Sequence, residues 1–180
     1  MGLLLHYELD FGDDLYEASP IEELVEGTTG LDVTSIDSME FFVAGEPVPQ
    51  GSTKSFYIEK LNRVVTTHGN RNTERWRQRI AAEAQRCNEV RESTFFCEDR
   101  NCGYIVRLHF QFSKPKSMPK KRHLNTKRPD LDKLIRAVLD GITGVLIPDD
   151  AQVIGIAASK SYCDGSHQPG LTISIRKIDS

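Results

Sequence analysis

Tyr104, Val106, Leu108, Phe110 and Phe112 alternate with Ile105, Arg107, His109 and Gln111. A period of two places the first five on one face, so this stretch predicts a half-buried strand. Further on the period changes. Leu131, Leu134, Ile135, Val138, Leu139 and Ile142 fall at i, i+3, i+4, i+7, i+8 and i+11. That is the apolar stripe of an amphipathic helix, which Gly144 is expected to end. Trp76, Ile80, Ala84 and Cys87 mark a second helix, from an N-cap at Thr73 to about Glu92, with Arg75, Arg79 and Arg86 on its other face.

Met39 to Gly45 reads as a strand closed by glycine and prolines, followed by an extended Pro47–Ser52 loop. Lys54–Ile58 and Arg63–Thr67 are rich in β-branched and aromatic residues and predict a hairpin turning at Glu59–Asn62. Val153–Tyr162 and Leu171–Ile178 are the two closing strands, joined by a polar Asp164–Ser166 loop. The order β, ββ, α, β, α, β, β predicts an α+β fold: a small mixed sheet with two main helices on one side.

Charge divides the chain. Residues 1–40 hold eleven acids and no Lys or Arg, while the remainder carries a net +8. Residues 1–38 lack sustained periodicity and read as an acidic, flexible arm, so the folded body is expected to span 39–180. A basic body suggests an anionic partner, and an acidic arm also serves plain solubility. No apolar run approaches the ~20 residues of a membrane helix, and Met1–Leu5 is too short for a signal peptide. The expectation is a cytoplasmic protein. Cys87, Cys97, Cys102 and Cys163 show no zinc-site spacing and are expected to be reduced thiols. The five histidines show no ligand spacing either.

The segment Lys127–Arg136 carries the chemistry. Pro129 suits the entry to a helix, Asp130 falls at the cap and Asp132 in the first turn, where helix amides favour carboxylates. Asp132 and Arg136 share a face as an i, i+4 pair. An isolated Asp-x-Asp is ordinarily a cap with a surface ion pair. A second pair, Asp149-Asp150, and the basic run Lys114–Arg128 shift the balance. Acids gathered in a basic protein suit hard Mg²⁺, which takes one or two carboxylates along with water and phosphate. The surrounding cations suit a nucleic-acid backbone.

Arg128-Pro129-Asp130-Leu131-Asp132-Lys133-Leu134-Ile135-Arg136, followed by Asp149-Asp150-Ala151-Gln152-Val153, resembles the RusA family of Holliday-junction resolvases. Pro47-Val48-Pro49-Gln50-Gly51-Ser52-Thr53-Lys54 is similar to that family's opening loop. The resemblance spans roughly residues 39–178. It implies a homodimeric, Mg²⁺-dependent endodeoxyribonuclease (Mn²⁺ being an alternative) that cuts two opposed strands of a four-way DNA junction. It implies no small-molecule substrate, and a bacterial or phage-infected cell as the setting. Asp130, Asp132 and Asp150 are the implied metal ligands, with Asp149 beside them. Arg136 stands where the family commonly has lysine, and Lys133 where it commonly has asparagine. A guanidinium keeps the charge without the ammonium geometry, which favours electrostatic support over proton transfer. Lys54, Arg71, Arg75, Lys120, Lys121, Arg122, Lys133 and Lys160 are the candidate DNA contacts, each alone a common solvated charge. A non-cleaving junction-binding protein and a nuclease for another branched DNA are the rival readings.

Overall fold

The computed structural model describes residues 37–51, 53–68, 71–90, 95–98, 101–119, 121, 124–163 and 167–179, without the side chains of 53–56 and 65–68. These residues all belong to one compact unit, Val33–Ser180. The acidic arm of the sequence reading therefore lies outside the described residues, except for Asp37 and Ser38. Those two open β1 (Asp37–Ala44), pairing with Lys177 and Arg176. The strand starts two residues before the apolar run because backbone pairing extends past the last buried side chain, Met39.

A hairpin follows, β2 (Thr53–Ile58) and β3 (Arg63–His68), around a 3₁₀ turn at Glu59–Leu61. Asn62 completes the turn with φ of 47°, a left-handed conformation that asparagine tolerates better than most residues. Helix α1 (Arg71–Glu89) comes next. It begins earlier than expected, so Thr73 is not its cap: its buried hydroxyl donates to Pro49 O at 2.9 Å. Then come β4 (Cys102–Phe112), α2 (Leu131–Ile142), a 3₁₀ turn (Asp150–Gln152), β5 (Val153–Tyr162) and β6 (Gly170–Asp179).

The main sheet has the order β1-β6-β4-β5. β6 lies antiparallel to both β1 and β4, and β4 runs parallel to β5. Parallel neighbours need a crossover, and α2 supplies it. The alternating residues of β4 do what the period demands. Tyr104, Val106, Leu108, Phe110 and Phe112 are buried with Met39, Phe41 and Val43 of β1 and Leu171, Ile173 and Ile175 of β6. Trp76, Ile80 and Ala84 of α1 and Leu134, Ala137, Val138 and Ile142 of α2 complete this core. The helices meet closely at Gly141, where a Cβ would lie 3.1 Å from the Ile80 side chain.

The cysteines depart from expectation. Cys97 and Cys102 form a disulfide with Cα atoms 6.8 Å apart, while Cys87 and Cys163 are not disulfide-bonded. The chain before β4 folds back on itself: the Phe95 and Tyr104 rings meet in a tilted contact, centroids 5.7 Å apart, and the Tyr104 hydroxyl donates to Phe95 O and accepts from Cys97 N. That closure, invisible in the spacing alone, sets the two sulfurs side by side.

Candidate active site

The chain enters α2 through a cis Arg128–Pro129 bond, and Asp130 takes the cap position with extended backbone. Its side chain makes no capping hydrogen bond. It pairs instead with the ammonium of Lys133 at 3.1 Å. Asp132 stands exposed in the first turn, and Arg136, one turn further, is exposed as well. Among the described residues neither is held by an ion pair, so the Asp132–Arg136 bridge that their spacing allows is not formed. Both side chains remain open to a ligand.

The opening loop is fastened beside these residues. Gln50 N donates to Lys133 O at 2.9 Å, inside the first turns of α2. Arg77 of α1 donates both to the Gln50 side chain and to Asp140 of α2. Thr73 holds the preceding carbonyl. Pro49 and Gln50 of the opening loop thus lie beside the start of α2, far from it in sequence. Gln50 and Arg77 had no signal in the sequence beyond membership of that loop and of a basic helix face.

Lys160 departs from what its charge suggests. It lies half-buried near the end of β5, and its ammonium donates to Lys127 O and Pro129 O at 2.6 Å each. Lys133 is engaged with Asp130. Arg71, Arg75 and Lys121 are exposed, as a phosphate contact requires. Lys54 sits on β2 with its side chain outside the described residues, as are Lys120 and Arg122 altogether.

Asp149 and Asp150 stand elsewhere. Asp149 caps the second 3₁₀ turn, accepting from Ala151 N at 2.9 Å, and Asp150 is exposed as the turn's first residue. The turn is tied to β4 by Gln152, whose amide donates to Cys102 O at 3.4 Å.

Topology separates the two acidic clusters. α2 runs from Asp130 to the far edge of the sheet, a rise of about 18 Å for a helix of its length. β5 then returns beside β4, and Lys160 reaches the carbonyl just before Asp130 only after seven residues of strand, about 23 Å. Asp130 and Asp132 therefore lie at one end of the α2–β5 unit and Asp150 at the other, about 20 Å apart. Consistent with this, the group of potential ligands lying within 4.8 Å of one another among the described residues is Cys97, Cys102 and Asp179, not the three aspartates. Its sulfurs are joined as the disulfide. One chain does not bring its three candidate ligands together.

Two exposed carboxylates with hard oxygen donors at the start of α2 fit a hydrated divalent cation, which needs one or two such groups. His109 plays no part there. It is wedged between Ser159 (2.8 Å) and Ser161 (3.2 Å), and burial lowers its pKa.

The family model for endodeoxyribonuclease RusA matches residues 44–176, from the end of β1 into β6. An uncharacterized protein of Bacillus subtilis (strain 168), YqaN, is 25% identical over 151 residues, covering 81% of this chain and 100% of that protein.

Proposed function

The chain belongs to the RusA family of endodeoxyribonucleases, and from that premise we propose that it resolves four-way DNA junctions at a Mg²⁺-dependent centre shared between two chains. Family membership makes it a hydrolase acting on DNA, of a kind that cuts branched junctions. No helix among the described residues is long and apolar enough to cross a membrane. The observation that carries the finer reading is the placement of the acids: Asp130 and Asp132 at one end of α2–β5, Asp150 at the other.

In this reading Asp130 and Asp132 of one chain and Asp150 of a second, two-fold related chain hold the cation. When bound, a divalent cation supplies Lewis acidity to the phosphodiester and to the attacking water. Lys133, paired with Asp130 at 3.1 Å, would have to give up that contact for the carboxylate to serve as a ligand. Arg136 stands one turn further along the same face and offers a fixed positive charge to the phosphate as its own charge grows. Arg71, Arg75 and Lys121 bind backbone phosphates and give the complex its salt dependence. A two-fold dimer presents two equivalent sites, which suits a junction with two equivalent strands to cut.

Mixing two inactive variants tests the shared centre. Asp130→Asn and Asp150→Asn should each fail to nick a labelled four-way junction in Mg²⁺. In a mixed dimer both substitutions fall in one shared site and the other is intact, so co-refolded variants should recover about a quarter of the native nicking. A centre confined to one chain leaves every site damaged and gives no recovery. Metal-independent behaviour, with junction binding but no nicks from the native chain, would establish the non-cleaving binding protein instead.

A further inference from the structure

We propose that Lys160 is a positioning residue for the Asp130–Asp132 pair rather than a DNA contact. This rests on the reading that those two acids hold the cation. Three observations converge on it. Lys160 spends two of its three N–H donors on Lys127 O and Pro129 O, at 2.6 Å each. Pro129 O belongs to the peptide that enters Asp130, so this bond fixes the backbone from which the Asp130 side chain departs. The neighbouring residue Ser161 also bridges to Leu124. The long segment between β4 and α2, none of whose described residues belongs to a named strand or helix, is thereby fastened to β5 at two adjacent residues.

Lysine suits the task. Its compact ammonium carries three rotatable donors, enough to gather two carbonyls from a bend. Hydrogen bonds from a charged donor are about twice as strong as neutral ones. The side chain is half-buried, so water competes poorly for the carbonyls. A cation whose ammonium faces backbone oxygens has little left for a phosphate.

The two roles predict opposite outcomes. A positive charge near carboxylates weakens cation binding, so a charge-only view of Lys160 makes its neutralisation tighten metal binding. A positioning role makes the same change weaken it, because the acids lose their fixed geometry. The test uses the full chain and Mn²⁺ as probe, with free Mn²⁺ measured by electron paramagnetic resonance in the absence of DNA. Junction affinity is measured separately, without divalent metal, at several salt concentrations.

Lys160→Met should raise the Mn²⁺ dissociation constant about 10-fold to 100-fold, the usual effect of losing a group that orients a metal ligand. Its junction affinity and salt slope should stay native. Lys160→Arg keeps charged donors and should restore Mn²⁺ affinity to within a few-fold. Unchanged or tighter Mn²⁺ binding in Lys160→Met overturns the proposal, as does a salt slope smaller by about one, the mark of a lost phosphate contact. Thermal denaturation accompanies each variant, and if the Met variant does not fold, Lys160→Gln is read by the same two measurements. Asp132→Asn serves as the control. Native Mn²⁺ binding in that variant means the acids were misassigned, whereas weakened binding there with native binding in Lys160→Met means only the Lys160 role fails.

Discussion

Where the chain enters α2 and where it leaves for β5, the same kind of residue is presented by different means. At the entry, Asp130 and Asp132 depend on partners far away in sequence: Lys160 on β5 and Gln50 in the opening loop. At the exit, Asp150 depends on its neighbours. Asp149 caps the turn through its own carboxylate, and Gln152 N donates back to Asp149 O at 3.1 Å. The entry is an assembled structure that needs the sheet in place. The exit is a local one, tied to β4 through the Gln152 amide, which reaches Cys102 O and Cys102 Sγ. A self-contained turn can offer its acid outward to another chain, while a pair of acids meant to share one cation needs the tighter anchoring found at the entry.

Substitution of the acids is the largest test of this contrast. Asp130→Asn, Asp132→Asn and Asp150→Asn should each lower junction cleavage by a factor on the order of 10³ or more, since a lost ligand removes several kcal/mol of charge stabilisation. Junction binding should persist in all three. A denaturing gel of labelled junction reads the outcome. Full activity of Asp150→Asn would break the comparison and leave that residue as part of a turn and nothing more.

Arg136→Ala probes the entry alone. It should slow cleavage by about 10²–10³, the loss typical of one charge-stabilising donor, and Arg136→Lys should keep substantial activity. Single-turnover rates at saturating Mg²⁺ separate this from weaker binding. Equal slowing by both variants would show that the guanidinium shape matters as well as the charge.

Asp149→Ala probes the exit. Loss of the cap should lower stability by about 1 kcal/mol or less, read by urea denaturation. Its effect on cleavage should fall well below that of Asp150→Asn. A loss as large as that of Asp150→Asn would make Asp149 a ligand in its own right.

The smallest effect concerns pH. Burial between Ser159 and Ser161 holds His109 neutral, with its pKa below the ordinary 6.5. The unfolded chain takes up this proton first, so stability is fully present above about pH 6.5 and falls as pH drops from there through the folded pKa. The two serines flank Lys160 on the opposite face of β5. Acid should therefore loosen the entry end of that strand before the Val153 end. His109→Gln should flatten the stability profile below pH 6.5, as followed by thermal denaturation across pH.

Much of this fold is legible in the residues because burial imposes periods. α2 has the bounds its apolar stripe predicts, and the five apolar residues that alternate along β4 are all buried, joined by Ile105 from the other face. Boundaries shift where polar residues continue the pattern. Asp37 and Ser38 extend β1 by backbone pairing, and Arg71 and Asn72 start α1 ahead of Thr73. The Cys97–Cys102 bond and the turning of Lys160 toward two carbonyls had no local signal. Each depends on what another part of the chain places opposite.

Sequence by itself determined which acids are available: Asp130 and Asp132 ahead of a helical stripe, Asp150 ahead of a strand, with cations on both sides. It did so because secondary-structure periods and motif chemistry are local properties, repeated every two or 3.6 residues. It did not determine how far apart those acids stand. That followed from the parallel pairing of β4 and β5, which obliges α2 to run the length of the sheet between them. A rise of about 1.5 Å per residue in the helix and about 3.3 Å in the strand then turns the twenty positions from Asp130 to Asp150 into opposite ends of the α2–β5 unit. Strand order is a decision of the whole packed core, and only that decision places Asp150 beyond the reach of Asp130 in the same chain.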